Sequence, residues 1–429
     1  MNRARKAALL SLCKSTEKGA FSNLEADSTL RKFHDSPEDR KLYTKLYLGV
    51  VEKKITLDYL LSRLSSVPLH QMETEVLCIL ELSAYQILYM DRIPNRAAIF
   101  EGGELAKHYA PAALPLINAV LRRLASDIPA ALALLEHPGK KGLSLRYGYP
   151  RHLIGLWQEA YGKERCLDIL EAQNTEAALT LRVNTLKTDL PSYSALLKKN
   201  GISHHSAALC RNGITVEGSG GPALLPGFEE GLFFVQDAAA QHAVDRLGAK
   251  KGERVLDLCA APGGKSFAAA MDMEGEGEIV SHEFYPSRLS LITKGAQRLG
   301  ISIIRAEARD SSRPLEDARE AFDRVICDVP CSGYGTIAKK PDIRHKPKSD
   351  ADALPPLQEA ILDVGARALK KGGRLLYSTC TLNPKENENV TDRFLSLHPE
   401  FVRVGEAETL FPKGGENDGF FCDLLEKKL

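Results

Sequence analysis

Residues 254–266 read RVLDLCAAPGGKS. A strand-like apolar run passes into two adjacent glycines, then Lys265 and Ser266, then the helical FAAAMDM. Strand, glycine turn and helix in that order can hold a nucleotide. Glycine lets the backbone approach a ligand closely, and free N–H groups at the helix start face its anionic end. A phosphate loop would need a further glycine five positions before Gly264, and that position is Cys259. The Lys-Ser ending survives without its loop, so a triphosphate is not the expected ligand.

Working outward, four more strand-like runs follow, EIVSHEF (278–284), ISIIRAEA (301–308), DRVICDVP (323–330) and GRLLYSTC (373–380), with helical stretches between most of them. Alternating apolar strands and helices predict an open, mostly parallel α/β sheet of Rossmann-like type over residues 236–429. Ligands of such sheets lie beyond the carboxyl ends of the strands. Chemistry-bearing residues stand at those ends. Glu283 closes the second run, 283 − 264 = 19 residues after Gly264, the usual spacing of a ribose-binding acid. Asp310 follows the third run and Asp328 ends the fourth.

The rest of the 429-residue chain is organised differently, and its length calls for more than one domain. Residues 1–128 read as all-helical, with apolar residues at helical spacing in KLYTKLYLGVVEK, VLCILELSAYQILYM and LINAVLRRLA. Residues 129–235 are a mixed α+β segment with strand-like LTLRVNTL and ITVEG. The basic, then apolar start MNRARKAALLSLCK reads as an amphipathic helix, because charge returns at Lys14 with no small-residue cleavage site. No apolar run is long enough for a membrane span. Nine cysteines without a Cys-x-x-Cys pair argue against a metal and against a disulfide framework, and fit reduced thiols in a cytoplasm. Net charge is only +1, yet residues 1–54 carry 12 Lys/Arg and 7 Asp/Glu, a local 12 − 7 = +5. A second basic stretch, AKKPDIRHKPK (338–348), offers Lys339, Lys340, Arg344 and Lys346 as phosphate contacts or as plain solvated surface.

Two cysteines stand apart. DVPCSGYG (328–335) places Cys331 just beyond a buried strand, and YSTCTLNPKENENV (377–390) places Cys380 at the end of another. Asn383, Pro384 and Glu386 read as the cap, first turn and capping-box acid of a following helix. A thiol at a strand end, facing a helix start, meets the conditions that make a nucleophile. Cys13, Cys78, Cys166, Cys210, Cys327 and Cys422 are read instead as small core residues, and Cys259 as packing within the ligand loop.

DLCAAPGGKS, DVPCSGYG and YSTCTLNPKENENV together, in this order, resemble the motifs of RNA 5-methylcytosine methyltransferases of the two-cysteine type. The resemblance implies S-adenosylmethionine as cofactor, RNA as partner, and methyl transfer to carbon 5 of cytosine through a cysteine–cytosine adduct. It implies Cys380 as the nucleophile, Cys331 as the thiol assisting product release, and Asp328 as the group that meets the base edge and borders the cofactor. Cys259, Ala260, Ala261, Pro262, Gly263, Gly264 and Lys265 would hold the methionine end, Glu283 the ribose and Asp310 the adenine amino group. YQILYMDRIPNRAAIFEGGELAK and LINAVLRRL resemble a NusB-type RNA-binding domain. LRVN (181–184) and LPGFEEGLFFVQDAAAQ (225–241) resemble the family's linker and RNA-binding part. This three-part arrangement implies 16S ribosomal RNA as substrate and a monomeric enzyme. The chain departs from the family where Gly295 replaces a usual asparagine, Glu81 a common arginine, and Glu283 a usual aspartate. An amino-group methyltransferase would carry an Asp/Asn-Pro-Pro-aromatic loop, where this chain has Asp-Val-Pro-Cys.

Overall fold

The computed structural model describes residues 2–18, 22–32, 36–177, 179–218, 221–315 and 318–429. The chain forms two units, Met1–Cys166 with Lys339–Lys346, and Leu167–Ala338 with Pro347–Leu429. In the first, helices Arg3–Lys18, Pro37–Leu64, Thr74–Tyr89, Asn95–Tyr109 and Leu114–Ser126 enclose a core that includes Leu9, Tyr43, Leu46, Leu57, Ile79 and Leu121. The long second helix starts where Ser36 Oγ accepts the Asp39 N–H and Pro37 occupies the first turn, the arrangement that satisfies otherwise orphaned donors. Glu81, the departure from the family's arginine, is buried and ion-paired with Lys54.

The second unit contains two sheets. The strands in chain order are β1 (Leu179–Val183), β2 (His204–Ser206), β3 (Gly213–Val216), β4 (Phe233–Val235), β5 (Arg254–Asp257), β6 (Glu278–Glu283), β7 (Ile304–Ala308), β8 (Phe322–Asp328), β9 (Leu369–Thr379), β10 (Phe401–Arg403), β11 (Glu408–Leu410) and β12 (Phe420–Lys427). The smaller, antiparallel sheet runs β2-β3-β1-β4, with Leu181 opposite both Ile214 and Val235. Helix Leu190–Lys199, capped by Asp189, packs on it through Tyr193 and Leu197.

The larger sheet runs β10-β12-β9-β8-β5-β6-β7, with β11 on β12. The five strands expected from the sequence are the parallel ones, and β12 adds an antiparallel strand on β9. Its two faces follow from strand alternation. Val255, Ile326 and Leu376 point into one apolar cluster with helices Ala238–Leu247 and Gly264–Asp272. Their neighbours Leu256, Val325 and Leu375 point into another with helices Pro355–Ala368 and Glu388–Leu397. Both faces are therefore covered over the central strands, which is why β5 and β8 carry unbroken apolar stretches, whereas the edge strand β7 has no buried residue. Strand order reverses between β5 and β8, the switch point at which a crevice opens beyond the strand ends.

Candidate active site

The loop after β5 is pinned at several points. Leu258 N–H donates to Ile326 O at 3.0 Å and Ala260 N–H to His282 O at 2.9 Å. Ser266 Oγ donates to Asp257 at 2.7 Å and lies 2.8 Å from Ser281 Oγ. Burial pushes the Asp257 carboxyl up to about 7, helped by nearby Asp328 and opposed by the Ser266 hydrogen bond and Lys265. Gly263 has φ +113°, and a Cβ there would lie 2.3 Å from the Phe267 ring. The same ring would meet a Cβ at Gly295 at 2.5 Å. Phe267 thus fills a slot between two glycines, and a side chain at either position would displace its ring. Gly263→Ala should lower stability by about 2 kcal/mol through a disfavoured φ and a displaced ring. Calorimetry should show S-adenosylmethionine affinity falling at least about tenfold. Gly264→Ala, whose Cβ would find its first neighbour at 3.6 Å, should leave unfolding temperature nearly unchanged.

Lys265 does not point to a phosphate. Its Nζ lies 2.6 Å from Asp328 Oδ2 and 5.2 Å from the centre of the Phe420 ring. The other Asp328 oxygen accepts Ser378 Oγ from β9 at 2.8 Å. Glu283 is buried at the end of β6 and accepts the Tyr285 N–H at 3.0 Å and Arg288 at 3.3 Å. Arg288 also donates to Ala261 O at 3.0 Å, tying the glycine loop to that acid. Hydrogen bonds from Ser312 hold the Asp310 carboxyl below the usual range, with Arg313 adding to the effect. Phe284 and Tyr285, exposed and edge to face at 5.0 Å, stand just past Glu283. Sequence reasoning passed over Arg288 and these two rings, although the aromatic pair directly after the acid was a visible signal. Permitted close backbone approach at Gly263, a helix start, and acids at successive strand ends fit the methionine, ribose and adenine parts of S-adenosylmethionine.

Cys331 and Cys380 are brought together with their sulfurs 3.3 Å apart. They lie beyond β8 and β9, next to Asp328. Sharing a hydrogen bond with Cys380 pushes the Cys331 thiol well up, and burial and the negative charges of Glu386 and Asp328 push the same way. Cys259 is also raised, by burial and nearby carboxylates. Cys78, Cys166, Cys327 and Cys422 are buried and Cys13 and Cys210 half-buried, none of them in a disulfide.

Two expectations are corrected here. Asn383 and Glu386 do not cap a helix together. Asn383 does cap, with Pro384 in the first turn, but what it caps is a short 3-10 turn, Pro384–Glu386, through the Lys385 N–H, and the α-helix begins only at Glu388. The Glu386 side chain turns inward instead. Arg344 is not on the surface. It is 2% exposed and donates to Glu52 O and Gly148 O at 2.9 and 3.2 Å, its guanidinium 4.2 Å from the Tyr149 ring centre. Lys340 is exposed and Lys339 and Lys346 half-buried. Among the described residues no helix is long and apolar enough to cross a membrane.

This sheet order and strand-end site are those expected of a methyltransferase that uses S-adenosylmethionine, and the chain's relatives are such enzymes. A family described as 16S rRNA methyltransferase RsmB/F matches residues 244–426, the NusB family matches 2–126, and a ferredoxin-like domain of RsmF/B-like methyltransferases matches 149–221. The chain is 34% identical to the probable ribosomal RNA small subunit methyltransferase B of Bacillus subtilis, over 99% of this chain and 98% of that one. It is 34% identical to the ribosomal RNA small subunit methyltransferase B of Vibrio cholerae, over 91% and 90%. The fold matches the crystal structure of PH0851 with a TM-score of 0.83 at 23% identity, over 100% and 99% of the two chains. A methyltransferase homologue from Pyrococcus horikoshii matches with 0.61 at 28% identity, over 68% of this chain and 100% of its own. The chain belongs to the ribosomal RNA small subunit methyltransferase B family.

Proposed function

We propose that this chain methylates carbon 5 of a cytosine in 16S ribosomal RNA, through a transient covalent bond between Cys380 and the base. The observation that carries the reading is the pair of thiols 3.3 Å apart beside Asp328. An amino-group methyltransferase has no use for such a pair. Carbon 5 of cytosine is too weak a nucleophile to be methylated directly. A Cys380 thiolate adding to carbon 6 breaks the ring's aromaticity and makes carbon 5 enamine-like, dividing a hard step into easier ones. Asp328, held by Lys265 and Ser378, shares a proton with the N3 edge of the base as negative charge builds there and takes it back when the carbon–sulfur bond breaks. S-adenosylmethionine supplies the methyl group. The carbon-5 proton then leaves to water, the carbon–sulfur bond breaks, and its electron pair returns to Cys380. The Cys331 S–H donates a hydrogen bond to that departing sulfur, making it a better leaving group.

The loop from Cys259 to Lys265 is proposed to hold the methionine end of the cofactor, Glu283 the ribose and Asp310 the adenine. Residues 1–128 and 129–235 are taken as RNA-binding segments, and Lys339, Lys340 and Lys346 as backbone-phosphate contacts. The target base has to leave any stack to reach the thiols. The test is methyl transfer from labelled S-adenosylmethionine to 16S RNA, with bisulfite sequencing of the product. One bisulfite-resistant cytosine that appears only with active enzyme is expected. Label recovered on an adenine or on a ribose overturns the reading.

A further inference from the structure

Glu386 is fully buried, 0% exposed, and the mechanism above does not use it. Its Oε1 accepts Ser332 Oγ at 2.5 Å and Asn383 Nδ2 at 2.8 Å. Its Oε2 accepts the Ser332 N–H at 2.8 Å and Gln358 Nε2 at 3.0 Å. The Gln358 amide is oriented independently, because the same nitrogen donates to Pro330 O at 2.9 Å. Asn383 is oriented likewise, because its oxygen accepts the Lys385 N–H. Donors therefore converge on both oxygens from two different loops. Three of the four partners, the Ser332 N–H and the Asn383 and Gln358 amide N–H groups, can only donate, and they reach both carboxyl oxygens.

The two loops are the ones that carry the thiols. Ser332 follows Cys331, while Asn383 and Glu386 follow Cys380. Thr381 Oγ1, next to Cys380, lies 2.7 Å from Ser332 Oγ and closes the link. The Tyr377 hydroxyl fixes the Glu386 backbone carbonyl at 2.6 Å. Among the described residues, the charged and titratable groups that act on Cys331 include Glu386 and Asp328 with its partner Lys265, and Tyr377 stands near the same thiol. Of the two cysteines, Cys331 is joined to Glu386 through the next residue's N–H and hydroxyl. A negative charge there disfavours a second negative charge on Cys331.

We propose that Glu386 is the positioning residue of the thiol pair: it clamps the two loops together and keeps the pair's remaining proton on Cys331, leaving Cys380 as the attacking thiolate. On ionisation the pair gives one proton to water, and the other stays on the Cys331 sulfur, donated toward Cys380. The proposal rests on Cys380 being the attacking sulfur, but its deciding measurement needs no RNA. The free enzyme is alkylated with limiting iodoacetamide across a pH series, and each thiol is quantified by mass spectrometry. Cys380 should be modified at least about tenfold ahead of Cys331, the ratio for one unit of difference in proton affinity. In Glu386→Gln the preference should fall by about tenfold or reverse, and the pair's first ionisation should move to lower pH because a neighbouring anion is gone. The kcat should fall with little change in KM for RNA. Glu386→Asp, which keeps the charge, should restore the preference for Cys380 but not the full rate. A clamp without an electrostatic role would lower kcat and leave the preference and its pH dependence unmoved.

A second measurement keeps Glu386 in place. With Cys331→Ala and Cys380→Ala proteins, the lone Cys331 should titrate at higher pH than the lone Cys380. An equal or inverted order overturns the proposal even if Glu386→Gln does not fold. If no RNA adduct ever forms while alkylation still favours Cys380, the covalent mechanism fails and the role of Glu386 in the pair stands.

Discussion

A Cys331→Ala enzyme given S-adenosylmethionine and 16S RNA is expected to stop after about one turnover with the RNA covalently attached. Cys380→Ala should form no attachment and lose activity by roughly 10⁴-fold or more, as when a nucleophile is removed. The difference follows from the 3.3 Å contact between the sulfurs. Either sulfur could reach a base held in the crevice, but only one can attack while the other holds a proton. Removing Cys331 removes the donor that stabilises the departing thiolate, so addition and methylation proceed and elimination stalls. Removing Cys380 removes the bond itself. A denaturing gel that resolves free from protein-linked RNA reads both outcomes. If the two variants behave alike, or if Cys380→Ala is the one that accumulates adduct, the roles assigned to the sulfurs are wrong.

Signals carried by neighbours in sequence were legible, and signals carried by distant partners were not. The central strands β5 and β8 announce themselves because both faces are buried and each carries an unbroken apolar stretch, while the edge strand β7, with no buried residue, shows through its place in the strand–helix alternation. The glycine loop is visible because Gly263 must hold a φ of +113°, a constraint written in one residue. Strands β10 and β11 are three residues each, too short for alternation to register. Glu386 was misread because Asn-Pro-Lys-Glu is a good local capping pattern. Its decisive partner, Ser332, is 54 residues away, and nothing local marks it. The cap and the clamp use the same residue types, since both need a short acceptor at a turn, so only the fold decides between them.

Arg344 failed for the same reason, and its correction carries the largest expected effect on stability. In sequence it belongs to a basic stretch. In the fold its partner Glu52 lies 292 residues away, and its guanidinium spans backbone carbonyls while stacked on Tyr149. Gly148 has φ +75°, and a Cβ there would crowd Glu52 O at 2.7 Å and Arg344 at 3.3 Å, so the chain makes room for this contact. Arg344→Ala leaves those carbonyls buried without their donor and opens a void beside the ring. The cost should be about 3 kcal/mol. For a unit of this size that lowers the unfolding temperature of the helical part by roughly 6–12 °C. Arg344→Lys keeps the charge but loses the planar fork and the stacking, so it should recover only part of the loss. Lys340→Ala, on the exposed side of the same stretch, should change stability by less than about 0.5 kcal/mol and reduce the salt dependence of RNA binding. The contrast separates anchor from phosphate contact in one experiment, scanning calorimetry paired with RNA titration at several salt concentrations. An Arg344→Ala protein that melts like the parent but binds RNA with a shallower salt slope would return this residue to the RNA surface.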